Sequence, residues 1–470
     1  MGVGSGKRVP EVARADSLRP RGTVMASGGA TFFVVAIFID MATDVSVWRA
    51  LWQLTVVMSA LSVAIGTWRL WLCALARPAP APIQSGRPRY TVIIPLFREA
   101  HMVPQLIQAL SRMDYPVEKL DIVFACEAVD PETCEMAKRL SRPPFRTLVV
   151  PPAQPGGEPQ TKPRALNYVL ARSESELVTI YDAEDRPDPS QLARAADAFA
   201  ANPQWQALQA PLDYFNTDDG WLARQFGLEY AGLFHVALPA FQRMNLPFPL
   251  GGTSNHMRRD ALERVGGWDP YNVTEDADLA FRIAAQGGQI GWIAPPTQEE
   301  ACHRIRPWFR QRSRWIKGYI QTWRVHMGSP LSGGWRRALT LQLTLGLSLL
   351  SVFFYAPVMV ALALWLLAQA LGVVSLGVPP LFLGALGFSL LCGMAVGALG
   401  AWRAGKRDLL WSVATMPVYW LLLFPPLCRA LWELRTNPYY WHKTEHGVTG
   451  ARPKTPSSAP WTPAQTSPSP

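Results

Sequence analysis

Three short stretches carry residue types that can act together on a phosphorylated ligand. Asp182-Ala183-Glu184-Asp185 directly follows the apolar run Leu177-Val178-Thr179-Ile180. Carboxylates at the carboxyl end of a strand in an open α/β sheet stand where ligands gather. Two of them, Asp182 and Glu184, can share a Mg²⁺ or Mn²⁺ with a diphosphate, because such an ion keeps coordination positions for phosphate oxygens. The ion then offsets charge on a departing nucleoside diphosphate. The bland alternative is a polar turn, since acids ahead of Pro187 and Pro189 are common turn material.

The second stretch is Thr274-Glu275-Asp276, ahead of the helical-looking Leu279-Ala280-Phe281-Arg282-Ile283. Thr274 is expected to cap that helix, a local effect of about 1 kcal/mol with acids in the first turn. Held rigidly there, Asp276 can take a proton from an attacking hydroxyl. The third stretch, Gln311-Arg312-Ser313-Arg314-Trp315, begins thirty-five residues later. At helical spacing Gln311, Arg314 and Trp315 share a face. A Trp ring stacks on a sugar ring and an Arg forks onto phosphate. The same basic stretch also suits an amphipathic helix on a membrane surface, with both roles compatible.

Those residues need a sheet to carry them and, by composition, a membrane beside it. The 470-residue chain is 49% hydrophobic and only 17% charged, with nineteen Trp, which is poor in charge for a soluble protein. A soluble part of roughly 240 residues is large enough for a full core. The net charge of +10 concentrates beside apolar spans, as at an inner leaflet facing anionic lipid rather than nucleic acid. The six cysteines are scattered, with no CxxC pair, so neither a zinc site nor a disulfide framework is expected.

Uncharged stretches at 22–39 and 50–68 are each long enough to cross roughly 30 Å of hydrocarbon. Asp40 and Asp44 lie between them, and Arg19, Arg21, Arg69 and Arg77 lie outside, which reads as a hairpin with both ends cytoplasmic. A cleavable signal peptide is the rival reading of the first stretch. After Arg337, sixty-five residues, 338–402, carry no charge; they are expected to form two spans divided near Val378-Pro379-Pro380, with room for an interfacial helix ahead. Residues 409–428 hold Pro417, Pro425 and Pro426 and read as a kinked or re-entrant helix. Between these membrane parts, strands are expected at 90–95, 120–125, 147–150 and 176–181, alternating with helices at 102–112, 132–140 and 165–171. That alternation predicts a parallel sheet covered on both faces. The division is thus a basic tail at 1–21, a transmembrane hairpin at 22–76, a catalytic α/β domain at 87–325, interfacial and membrane helices at 326–432, and a polar tail at 433–470, its end rich in Pro, Ser and Thr and expected to be disordered.

From about residue 90 to 323 the chain resembles the inverting, membrane-integrated family 2 glycosyltransferases, the group of cellulose, hyaluronan and chitin synthases. The motifs, in order, are Pro95-Leu96-Phe97-Arg98-Glu99, Lys162-Pro163-Arg164-Ala165-Leu166-Asn167, Asp182-Ala183-Glu184, Thr274-Glu275-Asp276 and the stretch 311–315. The resemblance implies a GT-A (Rossmann-like) α/β domain flanked by transmembrane helices. It implies a UDP-sugar donor, a divalent metal and Asp276 as general base, with Gln311, Arg314 and Trp315 holding donor phosphate and acceptor. Glu99 and Lys162 fall in the nucleotide pocket, and Gly251-Gly252-Thr253-Ser254-Asn255 matches the loop lining the acceptor site. The departures are Arg98 in place of the usual Asn, Cys126-Glu127-Ala128 in place of paired acids, and Glu184 in place of an Asp. Glu127 is therefore the substitute nucleotide contact. The Asp-Ala-Glu-Asp motif and the stretch 439–447 are similar to a bacterial branch that includes bacteriophage adsorption protein B.

The expected partners are a UDP-sugar, a glycan or lipid-linked acceptor and membrane lipid, with the catalytic domain on the cytoplasmic side of the plasma (inner) membrane. The motif at 311–315 leans toward polysaccharide synthesis; transfer to a lipid or short acceptor is the alternative within the enzyme class. A membrane receptor or scaffold with a degenerate transferase domain is the alternative outside it.

Overall fold

The computed structural model describes residues 46–77, 86–373 and 377–439. The basic tail, the first expected span, the Pro78–Pro82 linker and residues 440–470 of the polar tail lie outside these residues, while residues 433–436 belong to the last helix rather than to a disordered tail.

A central sheet of seven strands organises the chain. Its order is β3 (Phe145–Val150), β2 (Leu120–Glu127), β1 (Tyr90–Leu96), β4 (Leu177–Ile180), β8 (Asn255–Arg258), β6 (Trp205–Gln209) and β9 (Gln289–Trp292). The first four strands and the β6–β9 pair are parallel. In β1 the neighbours Val92, Ile93 and Ile94 are all fully buried and divide between the two cores, which is why the central strands read as continuous apolar runs. Helices α2 (Val103–Leu110), α3 (Pro131–Leu140), α4 (Lys162–Leu170) and α5 (Gln191–Ala201) make the crossovers.

The sheet is mixed rather than parallel throughout. β8 runs antiparallel to both β4 and β6. The cause is the loop ahead of it: Ser254 N–H donates to Ile180 O at the carboxyl end of β4, so the chain enters β8 from the top and must run downward. Three short strands, β5 (Arg186–Pro187), β7 (Leu212–Tyr214) and β10 (Thr297–Glu299), form a second sheet beside that edge.

Helix α1 (Ser46–Leu75) leads into the domain, and Leu72 and Ala76 join the core on one sheet face with Ile93, Val178 and Phe234. Helix α6 (Trp221–Gly232) is followed by a π turn and α7 (Leu238–Arg243); α8 (Arg259–Arg264) follows β8, α9 (Glu275–Ala285) precedes β9, and α10 (Ile305–Met327) leaves the domain.

Among the described residues, four helical stretches are long and apolar enough to cross a membrane: Trp52–Leu75, Trp335–Ala370, Pro380–Arg403 and Arg407–Thr436. The break expected near Val378-Pro379-Pro380 separates the second from the third. Helix α11 (Trp335–Leu341) runs through a π turn directly into α12 (Leu347–Ala370). The third is α13 (Pro380–Arg403). The last stretch is interrupted as its prolines led us to expect, being a 3₁₀ run at Arg407–Thr415 followed by α14 (Met416–Leu421) and α15 (Phe424–Thr436). Its prolines sit in the first turns of α14 and α15, where a missing N–H costs nothing. Helix α1 lies along α13, with Gly66 pressed against Phe388 and Ser389.

Candidate active site

Every residue singled out from sequence for a role in the site (Glu99, Glu127, Lys162, Asp182, Glu184, Gly252, Thr253, Asp276, Gln311, Arg314 and Trp315) lines one cavity of about 1310 Å³. It opens above the carboxyl ends of β1, β2 and β4 and continues between the candidate membrane-spanning stretches.

Lys162, at the start of α4, ties three of the elements together. Its ammonium donates to Asp182 Oδ1 at 2.5 Å and to the carbonyl of Gly252 at 2.8 Å. Gly252 in turn touches the third element, because a Cβ placed on it would lie 3.6 Å from Asp276 Oδ2. Burial favours the neutral amine, yet Asp182, Glu275 and Asp276 outweigh it and hold Lys162 above its ordinary pKa. Asp182 and Asp276 therefore face a common cation although ninety-four positions separate them in sequence.

The acid turn after β4 is fixed by Asp185. Its carboxylate accepts from the Asp182 N–H at 2.7 Å and from the Thr253 hydroxyl, which joins the turn to the Gly251–Thr253 loop. Burial, then the Asp182 and Glu184 charges, push the Asp185 carboxyl well above its usual range. Burial, then Asp182 and Glu99, push Glu184 up to about 8. Glu299 on β10 is raised by burial and by Asp185, Glu184 and Asp182. Among the described residues no three His, Cys, Asp or Glu side chains are grouped as a metal ligand set. Two hard carboxylates, Asp182 and Glu184, in a concentration of negative charge fit a divalent cation that takes its remaining ligands from a diphosphate.

Glu127 ends β2 inside the pocket, accepting from Gln160 Nε2 at 3.1 Å with Arg164 at 3.9 Å. Burial raises its carboxyl against the opposing pull of Arg164 and Gln160. Arg98, beside Glu99, has φ 56°. That left-handed conformation is tolerated by Asn and disfavoured for Arg, which explains physically why an Asn suits the position.

Asp276 stands in the first turn of α9. Burial, and next Glu275, push its carboxyl up to about 7. The expectation that Thr274 caps α9 fails: it occupies the N-cap position but makes no side-chain capping bond. Its side chain is pressed against Gly318 of α10, where a Cβ would lie 2.3 Å from Thr274 Cγ2. Instead Asn272 Oδ1 accepts the Thr274 N–H at 3.0 Å, and Asn272 Nδ2 donates to Thr322 Oγ1 of α10 at 2.9 Å. The Thr274-Glu275-Asp276 turn is thus docked onto the helix carrying residues 311–315.

A second link lies deeper. Asp278 Oδ2 pairs with Arg282 at 2.6 Å and Oδ1 accepts from His326 Nε2 at 2.9 Å. The other ring nitrogen of His326 accepts from Arg337, which fixes the Nε2–H tautomer. Burial alone would raise Asp278, but Arg282 and His326 outweigh it and hold it down at about 2.

On α10, Arg314 faces Glu275, Asp276 and Asp182; burial depresses the guanidinium pKa and those acids oppose the shift. Gln311 lines the cavity, and its buried Oε1 has no hydrogen-bond partner among the described residues. Trp315 stacks on Phe226 with ring centroids 6.0 Å apart and lies 6.2 Å from Tyr230. Sequence reasoning missed Arg312, whose guanidinium forks onto Glu229 of α6 at 2.7 and 2.5 Å and also donates to the Tyr419 hydroxyl at 2.7 Å. It also missed Asp185 as a fastener and Glu299 as a wall residue; their partners are remote in sequence and leave no periodic signal.

The family model described as "Glycosyl transferase family group 2" matches residues 177–428. β-Monoglucosyldiacylglycerol synthase of Synechocystis sp. is 27% identical over 436 residues, covering 85% of this chain and 87% of that protein. The cellulose synthase catalytic subunit (UDP-forming) of Komagataeibacter sucrofermentans is 25% identical over 59% of this chain and 36% of its own length. Among solved structures, a mannosyltransferase from Pyrobaculum calidifontis in complex with GDP-Man and Mn²⁺ has the same fold, with a TM-score of 0.53 at 22% identity over 81% of this chain and 98% of that one.

Proposed function

Since the chain belongs to glycosyl transferase family group 2, we propose that it is a metal-dependent inverting enzyme that moves a sugar from a UDP-sugar to a hydroxyl of an acceptor held at the membrane. The observation carrying this reading is the bridge from Asp182 through Lys162 to Gly252, which brings the acid turn alongside Asp276. The relative whose name reads UDP-forming supports UDP as the leaving group.

Asp276 takes the acceptor proton as the hydroxyl oxygen bonds to the anomeric carbon. The bond from that carbon to the diphosphate oxygen breaks with its electron pair, UDP departs and the configuration inverts. A base with a pKa near 7 matches this task at neutral pH. Arg314 and Lys162 supply fixed positive charge for the developing diphosphate, while Trp315 and Gln311 orient the sugars. Asp182 and Glu184 would hold Mg²⁺ or Mn²⁺, which when bound neutralises further charge on the leaving group. Glu99 and Glu127 lie where the nucleotide is read, and Gly252 and Thr253 leave room for the acceptor. We place this domain on the cytoplasmic side of the plasma (inner) membrane, beside the basic flanks of its spans. The converged carboxylates argue against a degenerate scaffold, which has no use for a buried base beside a buried cation.

The test is UDP release by the purified full chain in detergent–lipid micelles with Mn²⁺ and a panel of UDP-glucose, UDP-galactose and UDP-N-acetylglucosamine. Release with at least one donor, abolished by EDTA, is expected. Full activity in EDTA refutes the metal role, and no release with any donor refutes the enzyme reading.

A further inference from the structure

The cavity does not stop at the reacting groups. All four candidate membrane-spanning stretches contribute to its wall, and the arm they supply includes Leu72, Leu343, Leu347, Val352, Val396 and Leu423 together with Trp68 and Trp420. Sugar hydroxyls find no hydrogen-bond partner on the aliphatic side chains, whereas acyl chains leave water there. In the same arm stands Arg69, a charged residue within the stretch Trp52–Leu75. Its Nη1 donates to Ser389 O at 2.9 Å and reaches Ser389 Oγ at 3.4 Å. The guanidinium carbon lies 5.8 Å from the centre of the Trp420 ring. Gly393 makes room for it, since a Cβ there would lie 2.9 Å from Nη1. No Asp or Glu among the described residues pairs with Arg69, although an ionisable group inside a span is normally matched by a partner and marks a substrate path.

Resting on the transferase reading above, we propose that the acceptor is a membrane lipid bearing a headgroup hydroxyl. Its acyl chains occupy the apolar arm, its ester or phosphate oxygens accept from Arg69, and its free hydroxyl is presented to Asp276. This is a different product from a growing polysaccharide.

The full chain is incubated in detergent micelles with Mn²⁺, each of the three radiolabelled UDP-sugars, and either 1,2-diacylglycerol or phosphatidylglycerol. Label extracted into chloroform–methanol in proportion to added lipid is expected. Preference for the neutral lipid assigns Arg69 to ester oxygens, and preference for the anionic one assigns it to phosphate. Arg69→Gln should raise the apparent KM for the lipid at least tenfold, with Arg69→Lys intermediate. Val352→Trp, which fills the arm without touching a charge, should raise it similarly. UDP release accompanied only by ethanol-insoluble, water-soluble product overturns the lipid assignment and leaves the transferase reading standing. Lipid product with an unchanged KM in both Arg69→Gln and Val352→Trp overturns the placement of the acceptor in this arm. Absence of UDP release with every donor defeats the underlying reading instead.

Discussion

The Lys162 ammonium, 2.5 Å from Asp182 Oδ1, is the fastener between the acid turn after β4 and the loop that lies against Asp276. Because it also donates to Gly252 O, its removal should loosen both sides of the site. Lys162→Met is expected to lower kcat/KM by about 10–100-fold, corresponding to loss of charge-assisted hydrogen bonds of roughly 1.5–3 kcal/mol. Steady-state kinetics on UDP release check this. A variant within twofold of the parent would show that the bridge has no part in turnover.

The pH dependence has a definite sign. Asp276 must be ionised to accept a proton, and its carboxyl sits at about 7, so kcat/KM should rise as pH increases through about 7 and then level. After burial, Glu275 is the next contributor raising that value. Removing its charge in Glu275→Gln lowers the Asp276 pKa, and the acid limb should move to lower pH. A limb that stays in place, or moves upward, contradicts the assignment of that limb to Asp276.

Arg98 supplies a prediction about stability. Its φ of 56° costs a side chain with a Cβ roughly 1–2 kcal/mol, a strain Asn bears more easily. Arg98→Asn should therefore stabilise the chain by about 1 kcal/mol, seen as a rise of ~2–4 °C in Tm. Thermal unfolding in detergent checks it, and a fall in Tm would show that the Arg side chain contributes more than the backbone loses.

The pair Arg312–Glu229 fastens α10 to α6. Arg312 is nearly buried and Glu229 about one-third exposed, at 7% and 34%. Breaking a buried pair costs about 3–5 kcal/mol, and the exposure of Glu229 reduces that to about 2–3 kcal/mol for Arg312→Met. A double-mutant cycle with Glu229→Gln measures the coupling. Additive losses would mean that the fork is incidental.

Much of the fold was legible because its central strands are buried on both faces, and so β1, β2 and β4 stand out as apolar runs between turn residues. β8 was not, since Asn255-His256-Met257-Arg258 reads as a polar loop. Its His256 is buried and held neutral, pushed down to about 3 by burial, with the Tyr90 hydroxyl 2.7 Å from Nδ1. Spacing reveals local periodicity and misses such remote satisfaction of polar groups. The residues that converge on the cavity were legible one by one, because acids after a strand and an acid in a first turn have local signatures. The fasteners Asp185, Arg312 and Gly318 had none, because each is defined by what it meets across the fold. The same limit hid the true role of Thr274, whose side chain is placed by Gly318 rather than by the helix it begins.

The central claim is that Asp276 accepts the acceptor's proton. The most direct measurement is single-turnover transfer by Asp276→Asn, alongside donor affinity determined by calorimetry with the UDP-sugar that supports release. Loss of a positioned general base should slow turnover by about 10²–10⁴-fold, with donor affinity within a few-fold of the parent. Transfer at near-parental rate in the Asn variant, with the donor bound normally, would contradict it.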